Sequence, residues 1–286
     1  MSTINNPAVG IGKVSLTVQD LDRVSSFYQQ AIGLHLLRGD ASTVELGVEG
    51  NTLLELRRDS SARRRSPREA GLFHTAFLLP TRADLGRWMK HAIETRPPVV
   101  GASDHSVSEA LYLSDPEGNG VEIYADRPLL SWQWKDGLVH MPSDQLDIDS
   151  VLAAAGNGRW TGFPEGSKVG HVHLQVGAIP NAEAFYSEIL GFAITSRYPG
   201  GTFYGAGGYH HHLATNVWNS RGAVVRNYPS TGLADIEILA GPDFAASISD
   251  RSEARNIPST RTPQGLVLRD PWGTEITIVT PTVETI

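Results

Sequence analysis

Twenty-seven residues near the start of the chain recur without a gap at an offset of 158: Ile11–Leu37 (IGKVSLTVQDLDRVSSFYQQAIGLHLL) lies over Val169–Thr195 (VGHVHLQVGAIPNAEAFYSEILGFAIT). Gly12, Val14, Leu16, Val18, Phe27, Tyr28 and Gly33 return as Gly170, Val172, Leu174, Val176, Phe185, Tyr186 and Gly191. Such self-similarity means that one supersecondary unit is used again and must stack on a neighbour. Each copy reads as strand, helix and turn. Lys13–Val18 alternates with period two, Leu21–Ile32 carries apolar residues at helical spacing, and Gly33 suits the left-handed position after a helix.

A second kind of unit follows each copy. Gly71–Pro80 is expected as a strand, Arg82–Glu94 as a helix with Leu85, Trp88, Met89 and Ala92 on one face, and Ala110–Tyr124 as a hairpin. Asp115-Pro116-Glu117-Gly118-Asn119 supplies that hairpin's turn, because Pro fixes φ and Gly or Asn accepts positive φ. The matching later elements are Gly232–Ala240, a helix near Asp243–Ala254, and Gly265–Val279 with the turn Asp270-Pro271-Trp272-Gly273. Four modules result, at 8–58, 70–127, 168–220 and 231–280. The link 128–167 is long for a compact chain, so it must cross the surface or cover something.

Composition narrows the function. With 286 residues, 40% hydrophobic and 19% charged, the chain is of globular type. A net charge of -7 opposes general nucleic-acid binding. Arg63-Arg64-Arg65 is read as a solvated loop. There is no cysteine, which excludes disulfides, thiolate metal sites and cysteine nucleophiles, so any metal must be held by His, Asp or Glu. No apolar stretch reaches the ~18 residues that span a bilayer. Met1–Gly10 lacks the pattern of a signal peptide, and the expected location is the cytoplasm.

The four modules resemble the vicinal-oxygen-chelate superfamily of glyoxalase I, fosfomycin-resistance proteins and type I extradiol dioxygenases. The most specific stretch, Ser108–Pro128 (SEALYLSDPEGNGVEIYADRP), resembles the tyrosine strand, DPxG turn and glutamate strand of catechol 2,3-dioxygenases. The layout is most similar to the catechol-2,3-dioxygenase-like proteins of bacilli. The resemblance implies an α+β fold in which four βαβββ modules form two cup-shaped mixed sheets around a metal. Modules 70–127 and 168–220 are expected to pair across the two halves.

The resemblance places metal ligands on the first strand of paired modules and the last strand of one. Those positions here are Lys13, His74, His171 and Asp235, then Glu55, Glu122, the cluster His210-His211-His212 and Thr277, with Glu275 two residues short. A protonated lysine repels a cation. Pairing the two middle modules yields His74, His171 and Glu122, two imidazoles and one carboxylate on one face of a metal with open positions opposite. The implied metal is Fe(II), with Mn(II) as the other candidate, and O2 is the implied co-substrate.

On a strand through His210–Trp218, His210, His212 and Trp218 would share one face and His211 the other. The more polar face should line the cup. The resemblance implies an acid–base histidine beside the metal, and His212, then His210, is the expected one, suited by an ordinary pKa of ~6.5. Tyr112 lies ten residues before Glu122, the family's spacing between active-site tyrosine and glutamate ligand, and His105 resembles a further active-site histidine. His173 shares a strand face with His171. Trp218, Trp132 and Trp134 are candidates to wall an aromatic pocket. The resemblance implies extradiol cleavage of a small aromatic diol, with no nucleic-acid or membrane partner, and homo-oligomers are common among its soluble members. Two alternatives stay open: a metal-dependent glyoxalase-like isomerase or thiol transferase, and a metal-free drug-binding module.

Overall fold

The computed structural model describes residues 9–281. The start of the first module at residue 8, and Met1–Ala8 of the leader reading, lie outside the described residues. The fold is α+β, built of two eight-stranded curled sheets with few helices.

The sheets are assembled across the halves of the chain. One runs Ser259–Thr262, Gly265–Arg269, Glu275–Val279, Gly232–Ala240, Val9–Val18, Asn51–Arg58, Thr43–Val48, His35–Gly39. It joins the first module to the fourth. The other runs Ala193–Tyr198, Gly201–Gly205, Leu213–Asn216, Lys168–Gln175, Gly71–Leu78, Gly120–Asp126, Ser108–Ser114, Val99–Asp104, joining the third module to the second. In each, the first strands of the two modules pair antiparallel at the centre, and each also pairs parallel with the last strand of its own module. Alternating side chains thus give each sheet one face toward helices and one toward its own concavity.

The repeated sequence has local physical causes. The helix Leu21–Phe27 opens with Asp20 accepting from Arg23 N, and it continues as a wider π turn over Tyr28–Ile32. Gly33 closes it at φ 102°, and Gly191 closes the later copy at φ 84°, conformations that side chains with a Cβ resist. The Phe-Tyr pair is structural. Tyr28 and Tyr186 are fully buried, and their hydroxyls donate to Asp115 and Asp270 of the two hairpin turns. Each aspartate also caps its own turn, Asp115 Oδ1 accepting from Glu117 N and Asn119 N, and Asp270 Oδ1 from Trp272 N and Thr274 N. One continuous apolar core, including Val14, Leu16, Tyr28, Phe77, Trp88, Val172, Tyr186 and Ile236, draws on both sheets.

The link 128–167 carries a short hairpin, Trp134–Lys135 with Leu138–Val139, and the helix Ile148–Ala154. It does cover something: Met141 and Ser143 line the cavity described below. Asp144 bridges to Asp104 through paired backbone hydrogen bonds of 2.9 and 3.0 Å. No helix among the described residues is long and apolar enough to cross a membrane.

Candidate metal centre

Three strands of the second sheet carry the metal candidates. Ala76, on the strand Gly71–Leu78, is the register partner of both His171 on one side and Glu122 on the other. His74 sits two residues before Ala76, on the same face. A methyl group at position 76 leaves open the space over which the longer side chains converge. Glu122 Oε2 lies 3.0 Å from His74 Nε2 and 3.3 Å from His171 Nε2. Among the described residues these three form the group of His, Asp and Glu whose ligand atoms all lie within 4.8 Å of one another.

The electrostatics suit a cation. Burial pushes Glu122 up, but His171 and His74 outweigh it and hold the carboxyl well below its usual range. Burial lowers His171 to about 4, so at neutral pH its imidazole is uncharged and keeps a lone pair. His74 Nε2 is buried and satisfies no hydrogen-bond geometry, despite the carboxylate oxygen nearby. A buried polar nitrogen without a partner is costly. A divalent metal bound by two neutral imidazoles and a carboxylate would satisfy it, so the residues present fit the group.

The triad opens on a cavity of about 500 Å³. His105 and Tyr112 line it, as do His173, His211 and Trp218. Tyr112 is the register partner of Glu122 across the hairpin Ser108–Asp126, which explains their spacing of ten residues. His105 Nδ1 lies 2.6 Å from the Pro142 carbonyl, which can only accept, so Nδ1 carries the proton. In the uncharged ring His105 Nε2 then accepts from the Tyr112 hydroxyl at 2.7 Å. Burial and the Glu122 charge raise Tyr112 well above its ordinary pKa, which keeps it a neutral phenol. His173 Nε2 accepts from Asn216 Nδ2 at 3.0 Å, with Phe73, Phe203 and Trp218 packed around the ring at centroid distances of 4.9–5.7 Å.

The histidine cluster departs from expectation. His210–His212 are not on a strand; the strand is Leu213–Asn216, and the phase slips in the turn before it, after Gly207 and Gly208 at φ 65° and 77°. His211 is therefore the member that lines the cavity, its ring centroid 4.1 Å from that of His171. His212 packs instead against Phe192 and Tyr209, accepts from Ala206 N at 3.3 Å, and is lowered by burial to about 3. His210 is fully buried behind His211 and bonds Asp126. Trp132 and Trp134 do not line the cavity: Trp132 packs on Tyr209 and His210, and Trp134 is exposed. Sequence reasoning missed Phe73, Phe203, Tyr198, Met141, Ser143 and Asp126. Only the length of the link, and Asp126 four residues after Glu122, offered a signal.

The corresponding positions of the first sheet are closed by charge pairing. Lys13 bonds Glu55, Arg57 bonds both Glu55 and Asp235 at 2.5 Å, and Ser15 donates to Asp235 at 2.8 Å. Glu275 pairs with Arg269, its register partner on the neighbouring strand.

A family model described as the Glyoxalase/Bleomycin resistance protein/Dioxygenase superfamily matches residues 10–123 and 168–233. The chain belongs to that superfamily. It is 40% identical over 232 residues to the catechol-2,3-dioxygenase of Bacillus subtilis (strain 168), spanning 78% of this chain and 80% of that protein. A shorter stretch of 66 residues, 22% of this chain and 33% of the relative, is 42% identical to biphenyl-2,3-diol 1,2-dioxygenase 3 of Rhodococcus globerulus. Glyoxalase I from Zea mays has the same fold at a TM-score of 0.58 and 14% identity, covering 96% of this chain and 93% of that one. The cppA protein from Streptococcus pneumoniae TIGR4 matches at 0.59 and 13%, covering 97% and 99%.

Proposed function

We propose that this protein is an extradiol dioxygenase that uses Fe(II), held by His74, His171 and Glu122, to open a catechol-type ring with O2. The observation that carries this reading is the convergence of that triad on one cavity with His211, His105 and Tyr112. The 40% identity to a catechol-2,3-dioxygenase supports it. Overall, the ring bond next to the diol breaks and both atoms of O2 enter the product, which is an aldehyde-bearing hydroxymuconate or a close relative.

When bound, the iron would be held by His74, His171 and Glu122 and would supply the redox and Lewis-acid chemistry that lets a diol react with O2. The chain's own residues do the rest. Tyr112 has given its proton to the bond with His105, so its oxygen is free to accept from a substrate hydroxyl. His211 is uncharged at neutral pH, because burial lowers it well below its ordinary value, and is equipped to take a proton from the diol. Phe73, His173 and Trp218 provide ring edges and faces against which a flat aromatic substrate packs.

Anaerobic loading with Fe(II), followed by catechol and air, tests this. A yellow ring-opened product forming with O2 uptake is expected. Full iron content with unchanged catechol would overturn the assignment. Parallel loading with Mn(II) asks whether the second metal supports the same turnover.

A further inference from the structure

Behind His211 runs a buried chain of hydrogen bonds that the proposed chemistry does not itself require. His211 Nδ1 lies 2.6 Å from His210 Nδ1, and His210 Nε2 lies 2.9 Å from Asp126 Oδ1. Tyr209 donates to Asp126 Oδ2 at 3.0 Å, and the Tyr124 hydroxyl lies 2.8 Å from that of Tyr209. We propose that His210 and Asp126 are positioning residues that hold His211 as the Nδ1–H tautomer, with the Nε2 lone pair left for the cavity. This inference rests on reading the cavity as a ring-cleavage site.

The proton positions follow from what each group can do. A carboxylate only accepts, so His210 Nε2 must carry a hydrogen. As an uncharged imidazole, His210 then has its lone pair on Nδ1. Two ring nitrogens at 2.6 Å need one hydrogen between them, and against an uncharged His210 only His211 can supply it. His211 Nδ1 is thus the donor, and Nε2 is bare. The hydrogen bond made by one ring nitrogen decides the state of the other. Tyr209, committed to Asp126, accepts from Tyr124, so every donor in the chain points toward the carboxylate.

Packing makes this arrangement rigid. His210 is fully buried, with Tyr209 at 4.2 Å and Trp132 at 5.0 Å between ring centroids. Gly170, the residue before His171, leaves room for the Tyr124 hydroxyl: a Cβ there would stand 1.8 Å from it. The side chain of Asp126 is 23% exposed, so the buried chain ends at the solvent edge. Asp126 stands on the same strand as Glu122, and one strand therefore sets both a metal ligand and the orientation of His211.

Nitrogen-15 labelled protein loaded with Zn(II), a diamagnetic stand-in, tests the tautomer directly. In a multiple-bond 15N–1H correlation spectrum, His211 should show a protonated Nδ1 and an unprotonated Nε2, and His210 the reverse. Asp126→Leu and His210→Phe should each move the His211 proton to Nε2. With Fe(II) and catechol they should lower kcat about 10- to 100-fold, with KM within about threefold and metal content unchanged. His210→Asn returns an acceptor oxygen near the lost Nδ1 and should recover part of the rate. The double variant His210→Phe/His211→Gln should be no slower than His211→Gln, since the two act as one unit. Nε2-protonated His211 in the wild-type protein, or losses that multiply in the double variant, would overturn the proposal. If the iron-loaded protein opens no catechol, the ring-cleavage reading falls, and the spectrum alone still decides the tautomer.

Discussion

His171 and Glu122 reach within 3.3 Å of each other across an intervening strand, directly over Ala76, which is the register partner of both. Ala76 is fully buried, so a larger side chain there has nowhere to go but between His171 and Glu122. Ala76→Leu should abolish stoichiometric metal binding while the protein still folds, at a cost of about 1–3 kcal/mol from overpacking. Metal analysis after gel filtration, with circular dichroism as the folding control, checks this. Metal bound at full occupancy in Ala76→Leu would show that the triad does not hold it.

Removal of the metal should itself be visible as lost stability. A ligand that binds only the folded state at about a hundredfold above its Kd adds about 2.7 kcal/mol. Chelation should therefore lower the Tm of the wild-type protein. The same treatment should leave Glu122→Ala unchanged, because that variant has no metal to lose.

Tyr112→Phe removes the hydroxyl that bonds His105 and leaves the ring in place. Loss of one hydrogen bond worth about 1.5 kcal/mol corresponds to roughly a tenfold fall in rate. The fall should appear in kcat, with iron content unchanged. Steady-state kinetics on the iron-loaded variant decide it, and a variant as fast as wild type would remove Tyr112 from the chemistry.

Trp218 is partly exposed at the cavity wall and packs edge-on against Phe73 and His173. Trp218→Ala should raise KM for catechol and more so for catechols with an apolar substituent. Losing one such contact is worth about 0.5–1.5 kcal/mol, or a factor of roughly 2 to 10. The iron content and the Tm should stay near wild type.

The first sheet gives a contrasting prediction. Burial raises Glu55, yet its bonds to Arg57 and Lys13 prevail and hold it below the ordinary carboxylate pKa. A folded value below the unfolded one means stability that is present above the unfolded pKa and is lost as pH falls through the folded one. Arg57→Ala should destabilise by about 1–3 kcal/mol, less than the ~3–5 of a fully buried pair because Arg57 is partly exposed. It should also flatten the acid limb of the stability curve and leave metal content intact. Chemical denaturation at a series of acidic pH values measures both effects.

Much of this fold could be read from the chain. Gly33 and Gly191, the Phe-Tyr pair and the two Asp-Pro turns are local devices whose causes lie within a few residues, and they repeat. His74, Glu122 and His171 could be lined up because they occupy equivalent points of a repeated strand pattern. The histidine cluster could not, because its phase depends on a turn. Two glycines at positive φ before His210 shift the side chains, so His211 rather than His212 faces the cavity. Met141, Ser143 and the Pro142 carbonyl were hidden for another reason. They reach the site through a link with no periodicity, and only its length hinted at a role. The Asp126–His210 bond joins residues 84 positions apart, a contact that no local pattern encodes.

Mass spectrometry of the product formed under 18O2 tests the central claim most directly. Fe(II)-loaded protein given catechol should yield a ring-opened product that carries both labelled atoms, with one O2 consumed per ring. An intact ring, a product without the label, or equal turnover by the metal-free His171→Ala variant would contradict it.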